Sequence, residues 1–234
     1  MLTNDKKAQE RWTAYVRAEE TRLRSETLGE LEKFLELAGK YETKEKVEWA
    51  HWFCSRHMKK PSPSFPVRMP LFRELLFPGL LSGLLQRRKG CARWLGDLCQ
   101  YMYKCQDLRL QLPEGRRSST DLYRLAIEHD PDDTKAKRSL ASSLRSSLEY
   151  SIHELPAGVL FGLDASTVES IKELMKELAE YRSVAEFDLE ESEDLIVACD
   201  FHYQAYERYL QCKEDWTSYH SYLVVVHNDD WPDA

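Results

Sequence analysis

The sequence predicts an all-α fold, an irregular bundle of about eight to ten helices with helical-hairpin packing. Apolar residues recur every three or four positions along most of the chain, which is the spacing of one helix face. The 234 residues include nine glycines and nine prolines. These are few for a β-rich chain, which needs many tight turns. We find no convincing sheet pattern.

Three helices are expected before residue 59. The first covers residues 5–24, and the second covers 27–41 with Gly39 as a stop signal near its end. Thr43 can cap the third helix, which runs to about Met58.

A proline-rich segment separates these helices from the most apolar part of the chain. Residues 59–70 contain four prolines, so no helix is expected to run through them. We expect one domain over residues 1–234, with this segment as its possible internal boundary. Residues 71–86 follow as a buried element that Pro78 should kink or break.

The rest of the chain is predicted as further helices. One helix is expected over residues 91–112 and another over 166–181, followed by an acidic connector. An aromatic-rich helix covers residues 195–222, with a break near 213–215. The final residues, from Val224, are expected to form a short strand or an irregular docked end.

Two helices joined by a tight turn at residues 130–133 are expected between residues 120 and 155. The second helix carries an apolar stripe long enough for a central packing surface, formed by Leu140, Leu144, Leu148, Ile152 and Leu155.

The run Ser119, Tyr123, Ala126 and Pro131 resembles the second half of a tetratricopeptide repeat, and residues 140–144 continue the resemblance. That repeat places small, aromatic, small and proline residues at these separations because its helices cross closely. The resemblance covers residues 119–144 and implies protein–protein binding.

The composition indicates a cytoplasmic, soluble protein. The N-terminal residues lack the apolar core of a signal peptide, and no apolar run approaches the roughly 18 residues that span a bilayer. We therefore expect no membrane association. The six cysteines show no framework spacing and are expected to be reduced.

Charge is distributed unevenly along the chain. Residues 56–93 carry nine basic groups against Glu74, whereas residues 164–234 carry eighteen acidic groups against five basic ones. These segments either pack together or face different partners. A pI near 5.6 and the lack of a reader motif argue against nucleic-acid binding.

Two pairs of side chains have the spacing of metal ligands. His51 and Cys54 form one pair on a predicted helix, and Cys199 and His202 form the other. The alternative is that both cysteines are small buried residues. We favour this alternative and expect no metal or other cofactor.

His153 and Glu154 are the candidates for acid/base chemistry, at the end of a helix. The alternative is that they help to finish the helix, since histidine is favourable near a helix C-terminus.

The C-terminal aromatic residues are the candidate partner-binding surface. Tyrosine and tryptophan bury large areas and keep a polar group, which suits interfaces. The alternative is that they form core packing. The candidates, with the acidic tail, are Tyr203, Tyr206, Tyr209, Trp216, Tyr219, Asp229, Asp230 and Trp231.

We therefore predict a non-catalytic protein that binds another protein, expected to be basic. In its most concrete form it is an inhibitor or immunity-type protein that uses its acidic, aromatic C-terminal surface. A tetratricopeptide-like adaptor or scaffold is the first alternative. A helical enzyme that uses His153 and Glu154 or a His/Cys metal site is the second. The sequence leaves the partner's identity and the oligomeric state open.

Overall fold

Every regular element in the described part of the chain is helical, which confirms the predicted all-α class. The chain divides into two compact units, residues 1–136 and 137–234. None of the described helices has the length and apolar character that crossing a membrane requires. The computed structural model describes residues 2, 5–21, 23–58, 65–155, 167–185 and 192–227.

The N-terminal unit begins with the three predicted helices. They are α1 (Lys6–Thr21), α2 (Arg24–Gly39) and α3 (Thr43–His57), and α1 packs against α2. The predicted cap is wrong in one detail, because Thr43 is the first helical residue and Glu42 precedes it without a side-chain cap bond.

The apolar segment changes helix type next to Pro78, where the sequence predicts a kink or break. A short α4 (Met69–Leu71) continues into a wider π-helical turn, Phe72–Leu76, and then into α5 (Phe77–Leu85). Pro78 has no N–H to donate, and its ring would crowd the carbonyl group one turn earlier in a regular α-helix. The wider turn before Pro78 relieves that crowding, and α5 goes on to pack against α3.

The single helix predicted over residues 91–112 is wrong. The chain forms three short helices there, α6 (Cys91–Asp97), α7 (Cys99–Tyr103) and α8 (Gln106–Arg109). The helical conformation is lost at Leu98 (φ −100°, ψ 10°) and at Cys105 (φ −134°, ψ 81°). Both side chains are buried. Neither residue is a glycine or a proline, so the residue types at these two positions do not predict the breaks.

The two helices around the 130–133 turn are present as α9 (Ser119–His129) and α10 (Thr134–Glu154). A capping box starts α9: Ser118 Oγ accepts from the Asp121 N–H at 3.1 Å, and Asp121 Oδ2 accepts from the Ser118 N–H at 3.2 Å. All five residues of the α10 apolar stripe are buried, which confirms it as a packing surface.

The C-terminal unit contains most of α10 together with α11 (Val168–Val184), α12 (Glu193–Gln211) and α13 (Tyr219–His227). Helix α11 packs against α12. A 3₁₀ turn at Lys213–Asp215 forms the predicted break. The alternative of a strand at Val224 is wrong, because that residue lies within α13.

Candidate functional site

The C-terminal unit carries an excess of acidic residues. Residues 137–234 include 20 acidic and eight basic residues, a net charge of −12, against +5 for residues 1–136. Some carboxylates are paired, as in Glu173 with Lys176 at 2.6 Å. Within the described residues, five exposed ones have no ion pair: Glu169, Glu193, Asp194, Glu214 and Asp215.

Five basic residues of segment 56–93 are paired with carboxylates of the N-terminal unit. Arg68 donates to Glu19 at 2.6 and 2.8 Å, and Arg88 donates to Glu48 at 2.7 and 2.9 Å. These are two-pronged arginine–carboxylate contacts, the strongest kind of ion pair. The same segment supplies three further pairs: Arg73–Asp107, Lys89–Asp130 and Arg93–Asp133.

The aromatic stripe proposed as a partner-binding surface lies mainly in the core. Tyr203, Tyr206, Tyr209 and Tyr219 are each at most 5% exposed. The rings of Tyr206 and Tyr219 meet edge to face, with centroids 4.7 Å apart. Trp216 is half-buried, and it contacts Tyr222 edge-on at 5.3 Å. Of the five aromatic candidates among the described residues, Trp216 is thus the one a partner can reach. Asp229, Asp230 and Trp231 lie outside the described residues.

The buried hydroxyl groups of the stripe have internal partners. The Tyr203 hydroxyl is hydrogen-bonded to Ser151 Oγ of α10. Tyr219 donates to the His202 carbonyl oxygen at 3.3 Å and lies 3.2 Å from His202 Nδ1. Burial raises the pKa of both tyrosines above the ordinary value. They are structural groups that hold α10, α12 and α13 together.

The proposed metal ligands do not assemble into a site in the described residues, where no group of three or more His, Cys, Asp or Glu side chains could hold an ion. Cys54 and Cys199 are fully buried, and burial raises the pKa of both thiols. The same effect lowers the pKa of His51. His202 is bound to Tyr219. These contacts favour the alternative of structural residues.

The acid/base candidates lie in the last turn of α10, where His153 is exposed and Glu154 is half-buried. This position matches the alternative role of finishing the helix, since an imidazolium group interacts favourably with the last carbonyl groups.

A buried polar cluster in the N-terminal unit was not apparent from the sequence. Arg93 is 8% exposed, and it donates to Asp133 at 3.1 Å and to Asp97 at 3.4 Å. Tyr123 donates to the other carboxylate oxygen of Asp97 at 3.2 Å. Burial outweighs the nearby guanidinium group and raises the pKa of Asp97 to about 7. The i, i+4 spacing of Arg93 and Asp97 was the signal in the sequence that could have revealed part of this cluster.

An aromatic cleft of about 930 Å³ lies between α1 and α3. Trp12, Trp52 and Phe65 line it, with Trp49 behind them. The Arg56 guanidinium group stacks over Trp52 at 5.1 Å. A cleft of this kind can take a flat or apolar group.

The residues that resemble a tetratricopeptide repeat make a close helix crossing. Tyr123 and Ala126 are buried on α9, which packs against α6. A Cβ atom on Gly96 of α6 would lie 2.6 Å from Tyr123 Cε1. The crossing thus joins helices separated by α7 and α8, whereas the repeat pairs consecutive helices. The chain matches no protein-family model, no curated protein and no solved structure.

Proposed function

We propose that this chain is a non-catalytic protein of the inhibitor or immunity type, whose acidic C-terminal unit neutralises a basic partner protein. The observation that supports it is the net charge of −12 on residues 137–234, with exposed carboxylates that lack an ion pair in the described structure. Complementary charge accelerates association and selects the partner. The N-terminal basic segment already has its own counter-charges.

The contact centre we propose is Trp216 with its acidic neighbours. Trp216 follows the 3₁₀ turn that carries Glu214 and Asp215, both exposed. Half-exposed tryptophans are frequent hot spots of interfaces, and a charged rim sets the rate of encounter. The buried tyrosines contribute by fixing this surface rigidly.

The test is rescue of growth when this chain is co-expressed with a toxic basic protein encoded beside it. We expect rescue, and a complex of the two purified proteins that weakens as salt is raised. The Glu214→Lys, Asp215→Lys double variant should weaken the complex and lose rescue. The control is Glu20→Lys, Glu26→Lys, which changes the net charge equally in the N-terminal unit. An equal loss in both double variants, or binding unchanged at high salt, contradicts the proposal.

An adaptor of tetratricopeptide type is the second candidate, and the observation that favours it is the burial of Tyr123 and Ala126, which occupy the aromatic and small positions of the repeat. An adaptor of this type binds extended segments of its partner. Short synthetic peptides that tile the partner would then bind as well as the folded protein does. An immunity-type protein instead requires the folded partner, so the same peptide series separates the two candidates.

A further inference from the structure

A second surface, wholly within the N-terminal unit, has the shape of a helix-binding groove. It has a volume of about 620 Å³, between α2 and the segment around Pro70. Leu28, Leu31 and Leu35 line it from α2; Leu28 is 37% exposed, whereas Leu31 and Leu35 are buried beneath the groove. From Leu28 to Gly39 the groove follows three turns of α2, a length of about 16 Å at the rise of an α-helix. An elongated apolar floor suits a helix better than a compact small molecule.

The rim of this groove is acidic on both sides. Glu32 and Glu36 line it from α2, and Glu74 lines it from the opposite wall. All three are exposed, and none has an ion pair in the described part of the chain.

The cations near the rim do not neutralise it. Lys33 is paired with Glu30 at 2.6 Å, and Arg73 is held by Asp107 at 2.5 Å. Lys40 lies one turn beyond Glu36 and forms no ion pair with it in the described structure. The three rim carboxylates are therefore available to an incoming positive charge.

We infer that this groove binds a basic amphipathic helix of a partner protein. Apolar side chains at positions i, i+3 or i+4 and i+7 of that helix lie on the leucine floor, and its flanking lysines or arginines meet Glu32, Glu36 and Glu74. This site is independent of the proposed C-terminal function, because it uses no residue of that unit.

The test uses the full chain and a labelled peptide of about 18 Leu and Lys residues, long enough to form a helix, with the leucines on one face. We expect saturable binding by fluorescence anisotropy. A peptide of the same composition with scrambled leucines, and one with Glu in place of Lys, should each bind at least about tenfold more weakly.

Two glycines of α2 provide a matched pair of variants. A Cβ atom added at Gly29 or at Gly39 meets no atom within 4 Å, so a side chain can begin at either position without a clash. Gly39 lines the groove, whereas Gly29 does not. Gly39→Trp should weaken peptide binding by roughly tenfold or more, and Gly29→Trp should leave it unchanged.

The contribution of charge is tested with two triple variants that have the same net charge as each other. Glu32→Gln, Glu36→Gln, Glu74→Gln should weaken binding and reduce its salt dependence. The control, Glu20→Gln, Glu26→Gln, Glu42→Gln, removes three exposed carboxylates outside the groove. Equal effects of the two triple variants, or peptide binding that Gly39→Trp does not change, would overturn the inference. Formation of a dimer that Gly39→Trp abolishes would also overturn it, since a second copy would then occupy the groove.

Discussion

Gly79 of α5 lies directly against Ala50 of α3. A Cβ atom on Gly79 would be 2.7 Å from the Ala50 Cβ atom and 2.8 Å from the Lys46 carbonyl oxygen. Real Cβ atoms almost never come so close, and the second contact is with backbone that cannot rotate away. The glycine therefore sets the distance between α3 and α5. Glu48 lies on α3, and its ion-pair partner Arg88 follows α5.

Gly79→Ala is expected to destabilise the protein by roughly 1–3 kcal/mol, the usual cost of overpacking a core. Alanine is the better helix former, so without the clash the change would stabilise α5 by about 1 kcal/mol. Gly29→Ala is the control, because an added Cβ atom meets nothing within 4 Å there. Urea unfolding of both variants measures the difference, and equal stabilisation by the two would contradict the close packing.

The ion pair of Arg68 with Glu19 gives a second prediction. The Glu19 side chain is 5% exposed and also accepts a hydrogen bond from the Tyr15 hydroxyl at 2.9 Å. Arg68→Ala removes both guanidinium hydrogen bonds from this buried carboxylate and leaves it the Tyr15 hydroxyl. We expect a loss of roughly 1–3 kcal/mol in the free energy of unfolding at neutral pH, the cost of removing a hydrogen bond to a charged group.

The pH dependence of the same pair has a definite sign. Hydrogen bonding to Arg68 lowers the pKa of Glu19 in the folded protein. The stability that the ion pair contributes is therefore present above the ordinary pKa of glutamate and is lost as the pH falls through the folded value.

Arg73→Ala is the control for Arg68→Ala, since its partner Asp107 is exposed and the change should have little effect on the free energy of unfolding. Equal losses from the two substitutions would show that the burial of Glu19 is unimportant.

The spacing of apolar residues was sufficient to locate most helices, but it could not locate the points where a helix is interrupted in the folded protein. The stripe of α10 and the positions of α1 to α3 follow from local periodicity. The breaks at Leu98 and Cys105 occur at buried residues that are neither glycine nor proline. The residue types at these positions therefore could not predict them. The strand alternative at Val224 is wrong for a related reason. β-Branched residues favour strands only weakly, and packing decides such short runs.

The charge blocks were visible in the sequence, but their pairing was not. Arg68 and Glu19 are 49 residues apart, and Arg73 and Asp107 are 34 apart. Pairs at such separations depend on the tertiary fold, so composition alone could not show that five residues of the basic segment pair with carboxylates of the same unit. The aromatic stripe presents the same difficulty, since helical spacing defines a face without stating whether a partner or the core covers it.

Tyr219 tests the assignment of the aromatic stripe to the core. Tyr219→Ala should cost roughly 3–5 kcal/mol, as for other large buried aromatic residues. Tyr219→Phe should cost roughly 1–2 kcal/mol, because it removes the hydroxyl bound to His202 while keeping the ring. Trp216→Ala, at a half-exposed position, should cost less than Tyr219→Ala in urea unfolding. A Tyr219→Ala protein that is as stable as the wild type but binds its partner less well would contradict the assignment of the stripe to the core.

Asp97 should make the stability of the N-terminal unit fall as the pH rises. Its folded pKa, about 7, lies above the ordinary value of 3.8, so the folded state holds a proton that the unfolded state has lost. The stabilisation from this proton is complete below the unfolded pKa and disappears as the pH rises towards 7. The charged groups around the carboxyl are Arg93, Asp133 and Lys135, with the Tyr123 hydroxyl as donor.

Asp97→Asn keeps an oxygen for the Tyr123 hydroxyl and does not titrate. The difference in unfolding free energy, wild type minus variant, should therefore fall by roughly 2–3 kcal/mol between pH 5 and pH 7, at about 1.4 kcal/mol per pKa unit. Histidines such as His51 titrate in both proteins and cancel in that difference. Asp132→Asn, at an exposed position in the turn before α10, is the control for a carboxyl-to-amide change outside this cluster. A flat difference for Asp97→Asn would mean that the carboxyl is ionised throughout this range, with Arg93 compensating for its burial.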